Sequence, residues 1–345
     1  MRIIVCHPSV PFSPGGSAKQ AHGIYDELKK RNHQVELVEI PFKWYPPLKI
    51  LDNVLAWRLL DLKEYGYEKV DLIISTKFPS YVVDHPNHVT WLTHQHRQAY
   101  DLRNTEYDYF QHSSEGEYVR KKIEEIDNKY LRKVKKVFTI SKNVSKRLLE
   151  FNKIESEPLY IPIPNSEKFH NKEYGDYVIF PSRISPIKRQ DLLVEAMKYT
   201  KTDVKCKIVG FDVQKKWLDD IMKDNKHLDK IELISNASDD ELIDLYSKAL
   251  AVVYLPIDED YGIVTLEAFY SEKPVLTASD SGGTLEFVED DVNGFVVDPD
   301  PKKIAEKLDE FYNNREKTKE MGKAALKKVK SLNLNWDTVI EKLIK

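Results

Sequence analysis

The feature that most constrains the fold is a regular alternation of short apolar runs with longer amphipathic segments, and it occurs in both halves of the chain. Apolar, β-branched runs such as Ala251–Leu255 have the composition of buried strands. Segments with helical spacing, such as Ser17–Arg31, follow several of these runs. Strands that alternate with helices form a parallel sheet covered by helices. The sequence therefore predicts an α/β protein with two Rossmann-like domains that face a central cleft.

A polar segment, Asn165–Asp176, lies between the two repeats and is interpreted as the linker. The chain of 345 residues is long enough for two domains of ordinary size. We predict an N-terminal domain over residues 1–168 and a C-terminal domain over residues 169–330. We expect residues 331–345 to form a helix that packs back toward the N-terminal domain.

The composition, 41% hydrophobic and 32% charged with a net charge of −3, is typical of a soluble globular protein. Cys6 and Cys206 lie in apolar runs and are expected to be buried thiols in a reducing compartment. No apolar run approaches the roughly 20 residues that span a bilayer, and the N-terminus shows no signal-peptide pattern. We therefore expect a cytoplasmic protein, and nucleic acid is not among its expected partners.

The segment over residues 41–62 leaves two interpretations open. Its aromatic residues, together with Lys43, Lys49 and Arg58, could face a membrane interface or an acceptor. The same pattern is typical of a helix in the core of the first domain. We predict the core helix and keep peripheral membrane contact through the N-terminal domain as the alternative.

A strand end, an acidic loop and a helix start follow one another over residues 255–269. Gly262 permits a tight turn into the helix. The N–H groups of residues 262–264 would point out of the helix N-terminus, which attracts phosphate. Glu259 and Glu267 frame the turn and could bind hydroxyl groups. A nucleotide sugar carries both kinds of group, although a solvated surface loop would explain this stretch as well.

Two further loops of the second half follow predicted strands. Arg183 and Lys188 come after the run Tyr177–Pro181, and cations at this spacing can contact a diphosphate together. Asn236 and Ala237 follow another strand, where backbone groups could pair with the edge of a base. Ligands of parallel sheets bind outside the carboxyl ends of the strands. The joint placement of these residues favours a nucleotide-diphosphate site over unrelated surface loops.

The first half offers candidates at the same positions relative to its strands. Gly15 and Gly16 precede a helix, where the backbone can approach a phosphate closely. They do not match the G-x-G-x-x-G pattern of nicotinamide and flavin enzymes. His94 and His96 are two residues apart, so only one can readily face inward along an extended segment, which argues against a metal site. His94 is equally explained as a sugar contact, a proton relay or a structural histidine.

With these residues in hand, the chain resembles the retaining glycosyltransferases of family 4, which have the GT-B fold. Glu259 and Glu267 match the E-x7-E motif of that family, Ser182–Lys188 matches its G-R-x-x-x-x-K segment, and Gly15-Gly16 matches its N-terminal glycine loop. Further matching landmarks are Pro274-Val275-Leu276, Gly282-Gly283 with Glu286, and Asn293–Pro299.

The sequence departs from the pattern of the family at three places. Asp260-Tyr261 stands where Gly-Phe is usual, and Ser182 and Arg189 stand where glycine is frequent. We expect the first change to make the sugar pocket narrower or more polar. We expect Arg189 to add a positive charge near the phosphates.

The resemblance implies a metal-independent hexosyltransferase that retains the configuration of the transferred sugar. It implies catalytic roles for Glu259, Lys188, Arg183 and His94. It implies substrate contacts at Gly15, Gly16, Gly210, Asn236, Ala237, Tyr261, Gly262, Ile263, Val264 and Glu267. The implied donor is a UDP-sugar or GDP-mannose, and no cofactor is expected. The implied acceptor is a glycan or a lipid-linked molecule in cell-surface polysaccharide, lipopolysaccharide or glycolipid synthesis.

Two other classes of function remain open at this point. A non-catalytic GT-B subunit would bind a partner enzyme or a glycan, and another GT-B enzyme, such as an epimerase or a phosphorylase, would give a different product. The enzyme interpretation predicts that Lys188→Ala loses activity and stays folded, since Lys188 is predicted on a loop.

Overall fold

The computed structural model describes residues 1–12, 15–110, 113–210, 215–223 and 228–345. The chain forms two compact units, Met1–Pro162 with Asn335–Lys345, and Ile163–Leu334. The first boundary falls before residue 168, the end of the predicted N-terminal domain. Residues just after the boundary contact other residues of the second unit, and Lys168, for example, pairs with Asp240 at 3.6 Å.

The first unit contains a parallel sheet of six strands in the order β2-β1-β5-β6-β7-β8, and a separate antiparallel hairpin, β3-β4. Its strands are β1 Arg2–Ser9, β2 Gln34–Pro41, β3 Glu64–Tyr65, β4 Glu68–Lys69, β5 Leu72–Ser75, β6 His88–Leu92, β7 Lys136–Thr139 and β8 Glu157–Pro158. Its helices up to this point of the chain are α1 Gly16–Lys30, α2 Lys49–Leu59, α3 Ser114–Tyr130 and α4 Lys142–Asn152. The central strands are buried because parallel sheets carry helices on both faces.

The second unit repeats this plan with a parallel sheet in the order β11-β10-β9-β12-β13-β14. Its strands are β9 Tyr177–Pro181, β10 Lys205–Gly210, β11 Ile231–Ser235, β12 Ala251–Val253, β13 Val275–Ala278 and β14 Gly294–Val297. Its helices are α5 Gln190–Met197, α6 Lys215–Lys223, α7 Asp239–Lys248, α8 Ile263–Tyr270, α9 Pro301–Asn313 and α10 Arg315–Ser331. The repeat of strands and helices predicted from the sequence is therefore present in both units.

The structure differs from the sequence-based expectations mainly in the short elements and the last helices. The sequence predicts a helix that begins at Leu285, whereas the structure has a 3-10 helix over Gly282–Glu286. The sequence also predicts two long helices at the end of the chain. Three are present, because the helical pattern is interrupted at Asn314, whose φ of −113° and ψ of 60° are not helical. The hairpin β3-β4, the two-residue strand β8 and α6 were not predicted.

The last helix, α11 Trp336–Ile344, is part of the first unit. The ring of Trp336 lies against α1 at Gly23, where an added Cβ would come within 2.5 Å of the indole. Trp336 also packs edge-to-face on Trp91, with ring centroids 6.1 Å apart. An ion pair between Arg31 and Asp337 adds a polar contact. The absence of a side chain at Gly23 therefore makes room for the indole of Trp336.

The two cysteines and the apolar character of the helices complete the description of the fold. Cys6 and Cys206 are free, buried thiols, and burial raises the pKa of each. None of the helices in the described part of the chain is both long and apolar enough to span a bilayer.

Candidate functional site

Three loops of the second unit meet at the carboxyl ends of β9, β12 and β13, which are neighbours in the sheet. Backbone hydrogen bonds join them: the N–H of Ile257 donates to the carbonyl of Ile187 at 2.9 Å, and the N–H of Asp258 donates to that of Asp280 at 2.9 Å. The N–H of Gly283 donates to the carbonyl of Glu259 at 2.7 Å. The loops therefore support one another, and the acidic loop lies between the other two.

The turn into α8 depends on Gly262. Its φ is +80°, in the left-handed region that favours glycine, and a Cβ at this position would lie 2.8 Å from Oγ1 of Thr284. The helix begins at the next residue, Ile263, as the sequence predicted. The amides of Ile263 and Val264 therefore belong to the first turn of a helix whose N-terminus lies beside the acidic loop.

Lys188 and Glu259 form an ion pair at this edge of the sheet. The ammonium Nζ of Lys188 donates to Oε2 of Glu259 and, at 3.0 Å, to the hydroxyl of Tyr254. The same hydroxyl donates to Oε2 of Glu259 at 2.8 Å. The sequence assigned Lys188 to the diphosphate and Glu259 to the sugar as separate contacts, whereas the structure pairs the two side chains directly.

Burial and the neighbouring groups together set the protonation states of Glu259 and Tyr254. Burial by itself would raise the pKa of the Glu259 carboxyl, but attraction to Lys188 and hydrogen bonds from Lys188 and Tyr254 outweigh it, so that the pKa is lowered. Burial, with the nearby negative charge of Glu259, raises the pKa of Tyr254 well above its usual value. Glu259 is therefore a carboxylate and Tyr254 a neutral hydroxyl at physiological pH.

Glu267, on the second turn of α8, is held by another tyrosine. The hydroxyl of Tyr246 donates to its Oε2 at 2.9 Å. Tyr246 is fully buried on α7, and its ring packs edge-to-face on Phe169 with centroids 5.8 Å apart. Each of the two glutamates thus accepts a hydrogen bond from a buried tyrosine.

Sequence analysis missed both tyrosines. Tyr254 lies within the apolar run Ala251–Leu255 and Tyr246 lies on a helix, and the sequence pattern singled out neither of them. The local sequence carries no sign that their hydroxyl groups meet carboxylates.

Two arginines of the β9 loop differ in environment. Arg183 is exposed immediately after β9. Arg189 pairs bidentately with Asp280, with nitrogen–oxygen distances of 2.7 and 2.6 Å. The expectation that Arg189 adds a positive charge near the phosphates is therefore corrected, because Asp280 neutralises that charge. The φ of Arg189 is +57°, which accounts for the expectation of glycine at this position.

The last residue of β10, Gly210, lies against the β9 loop, and the loop after β11 contacts Gly210 in turn. A Cβ on Gly210 would come within 2.4 Å of the carbonyl oxygen of Ser182, so only glycine allows this approach. The N–H of Asn236 donates to the carbonyl of Gly210 at 3.2 Å, and Asn236 is exposed with a φ of +57°. Ala237 follows in the same loop. Residues 211–214 lie outside the described part of the chain.

Tyr261, a predicted substrate contact, has its side chain in the core of the second unit. Its side chain is 4% exposed and packs edge-to-face on Phe287, with ring centroids 5.7 Å apart. The expectation that it shapes the sugar pocket is revised, because its ring fills the core beneath the loop. Asp260, its neighbour, remains partly exposed.

The first unit contains the predicted glycine loop, Gly15-Gly16, and the two histidines, His94 and His96. Gly15 precedes α1 and Gly16 begins it, and both are exposed. Apart from the two chain neighbours of each glycine, no atom of the described residues lies within 4 Å of an added Cβ at either position. The backbone itself therefore does not require glycine at these positions. His96 is buried in an aromatic cluster with Phe42, and burial lowers the pKa of His96 to about 3.

His94 is partly exposed, and its Nδ1 lies 2.5 Å from the carbonyl oxygen of Gln95. The expectation that only one of the two histidines faces inward agrees with this arrangement. His96 is the core residue, and His94 is the more exposed of the two.

The second unit resembles a known protein family. Residues 163–328 match the model of the family described as glycosyl transferases group 1. The matched region covers the three loops and both glutamates of the site, and it contains the Lys188–Glu259 pair.

Curated relatives match parts of the chain. Alpha-1,3/1,6-mannosyltransferase ALG2 of Homo sapiens is 36% identical over 100 residues, which are 29% of this chain and 24% of that protein. O-antigen chain mannosyltransferase RfbU of Salmonella typhimurium is 29% identical over 152 residues, 43% of each chain. The matched regions thus span less than half the length of these relatives.

A solved structure extends the likeness to the first unit. HepE of Anabaena, solved in complex with UDP-glucose, has a TM-score of 0.72 and 15% sequence identity, and the match covers 99% of this chain and 98% of that one. The predicted α/β fold of the GT-B glycosyltransferases is therefore confirmed.

Proposed function

We propose that this chain is a glycosyltransferase that moves a sugar from a nucleotide-diphosphate sugar to a glycan or lipid-linked acceptor. The observation that carries the proposal is the edge of the second sheet, where a cation, two carboxylates and a helix N-terminus lie together in a group 1 glycosyltransferase unit. The cation and the helix end suit a diphosphate. The carboxylates suit the hydroxyl groups of the ribose and the sugar.

The proposed reaction is metal-independent and retains the configuration at the anomeric carbon, as in family 4. Lys188 and Arg183 offset the charge that develops on the diphosphate as the bond from the anomeric carbon to the phosphate oxygen breaks. The acceptor oxygen attacks the same face of the sugar, and an oxygen of the leaving phosphate takes its proton. Glu259 orients the sugar and Glu267 binds the ribose, and His94 is a further candidate contact of the sugar.

The donor is proposed to be a UDP-sugar or GDP-mannose. HepE was solved with UDP-glucose, and ALG2 and RfbU are named mannosyltransferases. The acceptor is proposed to belong to cell-surface polysaccharide, lipopolysaccharide or glycolipid synthesis, in line with the O-antigen named for RfbU.

A panel of UDP-sugars and GDP-sugars tests this function directly. We expect at least one donor to raise the unfolding temperature, since a ligand at 100 times its Kd stabilises the folded state by about 2.7 kcal/mol. The same donor should be hydrolysed slowly without acceptor. Free glucose and mannose serve as controls and should do neither. Failure of every donor in both assays would contradict the proposal, and binding without turnover on any acceptor would favour the non-catalytic subunit.

The first unit also offers a surface for peripheral membrane contact at the inner face of the membrane. Leu55 and Leu59, one turn apart on α2, are 57% and 75% exposed. Arg58, Lys129 and Lys133 lie 5.3, 5.2 and 5.6 Å from the ring centre of Tyr130. Exposed leucines beside clustered cations suit the surface of an anionic bilayer.

Sedimentation with phospholipid vesicles checks this contact. We expect the wild-type chain to bind vesicles that contain anionic lipid, and Leu55→Glu/Leu59→Glu to reduce the bound fraction several-fold, because carboxylates replace the exposed side chains. Val292→Glu is a matched control, since Val292 is an exposed apolar residue of the second unit. Equal binding by the double variant and the wild type would remove α2 from consideration.

A further inference from the structure

The ion pair of Lys188 and Glu259 has a consequence for donor binding, and it rests on the proposed function. We propose that Tyr254 is a positioning residue that holds Lys188 and Glu259 together as a built-in competitor of the donor diphosphate. The diphosphate must displace Glu259 from Lys188 in order to bind. Tyr254 then keeps Glu259 at the site for the donor sugar.

Tyr254 is well suited to this task because its own position is fixed. Its N–H donates to the carbonyl of Leu276 at 2.9 Å, and its carbonyl accepts a hydrogen bond from Thr277 Oγ1 at 2.7 Å. Its ring packs edge-to-face on Phe180 with centroids 6.1 Å apart, and the residue is 3% exposed. The hydroxyl is therefore held at one point, from which it donates to Glu259 and accepts from Lys188.

The loop that carries Glu259 is fixed as well. The main chain of Glu259 donates to the carbonyl of Ser281 at 3.3 Å and accepts from Gly283 at 2.7 Å. The main chain therefore fixes the positions of both Tyr254 and Glu259, and Lys188 binds to two side chains whose backbones are held in place. Displacement of the carboxylate requires a rotation of side chains and not a movement of the loops.

The negative charge of Glu259 is expected to weaken the binding of a diphosphate. A lysine ammonium has three N–H donors, and two of them are engaged by Glu259 and Tyr254. An incoming diphosphate meets the carboxylates of Glu259 and of its neighbour Asp260, which repel it. Removal of the charge of Glu259 should therefore strengthen the binding of a nucleoside diphosphate, which lacks a sugar. The same change should weaken sugar transfer, because the sugar hydroxyls lose their carboxylate.

Titration calorimetry with UDP and GDP tests the competition. For whichever of the two the wild type binds, we expect Glu259→Gln to lower Kd by about threefold to tenfold and to reduce the rate of transfer. Glutamine is chosen because it removes the charge of Glu259 and preserves the length of the side chain. An unchanged or weaker affinity for the nucleoside diphosphate in a folded variant would overturn the proposal.

Tyr254→Phe provides a second readout that does not depend on the Glu259 variant. Loss of the hydroxyl removes a hydrogen bond that favours the charged form of Glu259, so the acidic limb of the pH–rate profile should move to higher pH. We expect kcat to fall about tenfold with a smaller change in KM. Tyr177→Phe is the matched control, because its hydroxyl donates to the carbonyl of Leu245 at 2.7 Å in the same unit, away from the carboxylates.

The two proposals can fail separately. An acidic limb that stays in place for Tyr254→Phe, or that moves equally for Tyr177→Phe, would overturn the role of Tyr254 while the glycosyltransferase proposal stands. A wild-type chain that binds neither UDP nor GDP would instead contradict the proposed function. Thermal unfolding of each variant, measured alongside, shows that it is folded when it is assayed.

Discussion

Lys188→Ala should abolish sugar transfer and should also destabilise the chain. The loss of the cation at the diphosphate is expected to lower kcat by about 100-fold to 1,000-fold, the range for removal of one group that stabilises developing charge. Glu259 would remain as a largely buried carboxylate without its lysine. Such a change costs about 1–3 kcal/mol for a partly accessible group. The variant is still expected to fold and to lose activity, as the sequence predicts, but with a smaller free energy of unfolding than the wild type.

The double variant Lys188→Ala/Glu259→Gln separates the two effects. Neutral glutamine no longer needs a cation, so the free energy of unfolding should recover toward the wild-type value while transfer stays absent. Urea unfolding and a donor-consumption assay on the wild type, Lys188→Ala, Glu259→Gln and the double variant measure both quantities. Wild-type stability of Lys188→Ala would show that the pair is not formed in solution, and wild-type transfer by Lys188→Ala would remove Lys188 from the reaction.

Gly283→Ala should displace the acidic loop. An added Cβ would lie 2.7 Å from the carbonyl oxygen of Asp260 and 3.0 Å from that of Glu259, so main-chain atoms would have to move. Because Gly283 also donates to Glu259, a shift would carry the carboxylate away from Lys188. We expect transfer to fall at least about tenfold and the free energy of unfolding to fall by about 1–3 kcal/mol, the cost of overpacking.

Ser279→Ala is the control for this change, because Ser279 is exposed on the same loop. It should leave the stability and the rate of transfer close to those of the wild type. If Gly283→Ala behaves like Ser279→Ala in both assays, the close approach of the two loops does not exist in solution.

The sheets could be predicted because the information for them is local. Runs such as Tyr177–Pro181 are apolar throughout, and parallel strands that are buried on both faces have this composition. Helix starts also carry a local signal: a serine before a helical pattern predicts an N-cap, and Ser141 and Ser238 accept hydrogen bonds from backbone N–H groups at the starts of α4 and α7. Breaks within a helical pattern, as at Asn314, depend on packing and were missed.

The site was predictable in its location and only partly in its contacts. The loops that carry Lys188 and Glu259 follow strands, and the carboxyl ends of neighbouring parallel strands meet at one edge. The order of the strands, which makes β9 and β12 neighbours, cannot be read from spacing along the chain. The pairing of residues 71 positions apart therefore escaped prediction, as did the second function of Tyr254 in an apolar run.

The position of α11 determines the order in which the two units can be completed during synthesis. The second unit is continuous from Ile163 to Leu334, whereas the first needs Trp336 to cover Gly23 and Trp91. A nascent chain that has emerged only as far as Leu334 can finish the second unit while the first still exposes the surface that Trp336 covers. The first unit to leave the ribosome is thus the last to close, so chaperones have longest access to its α1 surface.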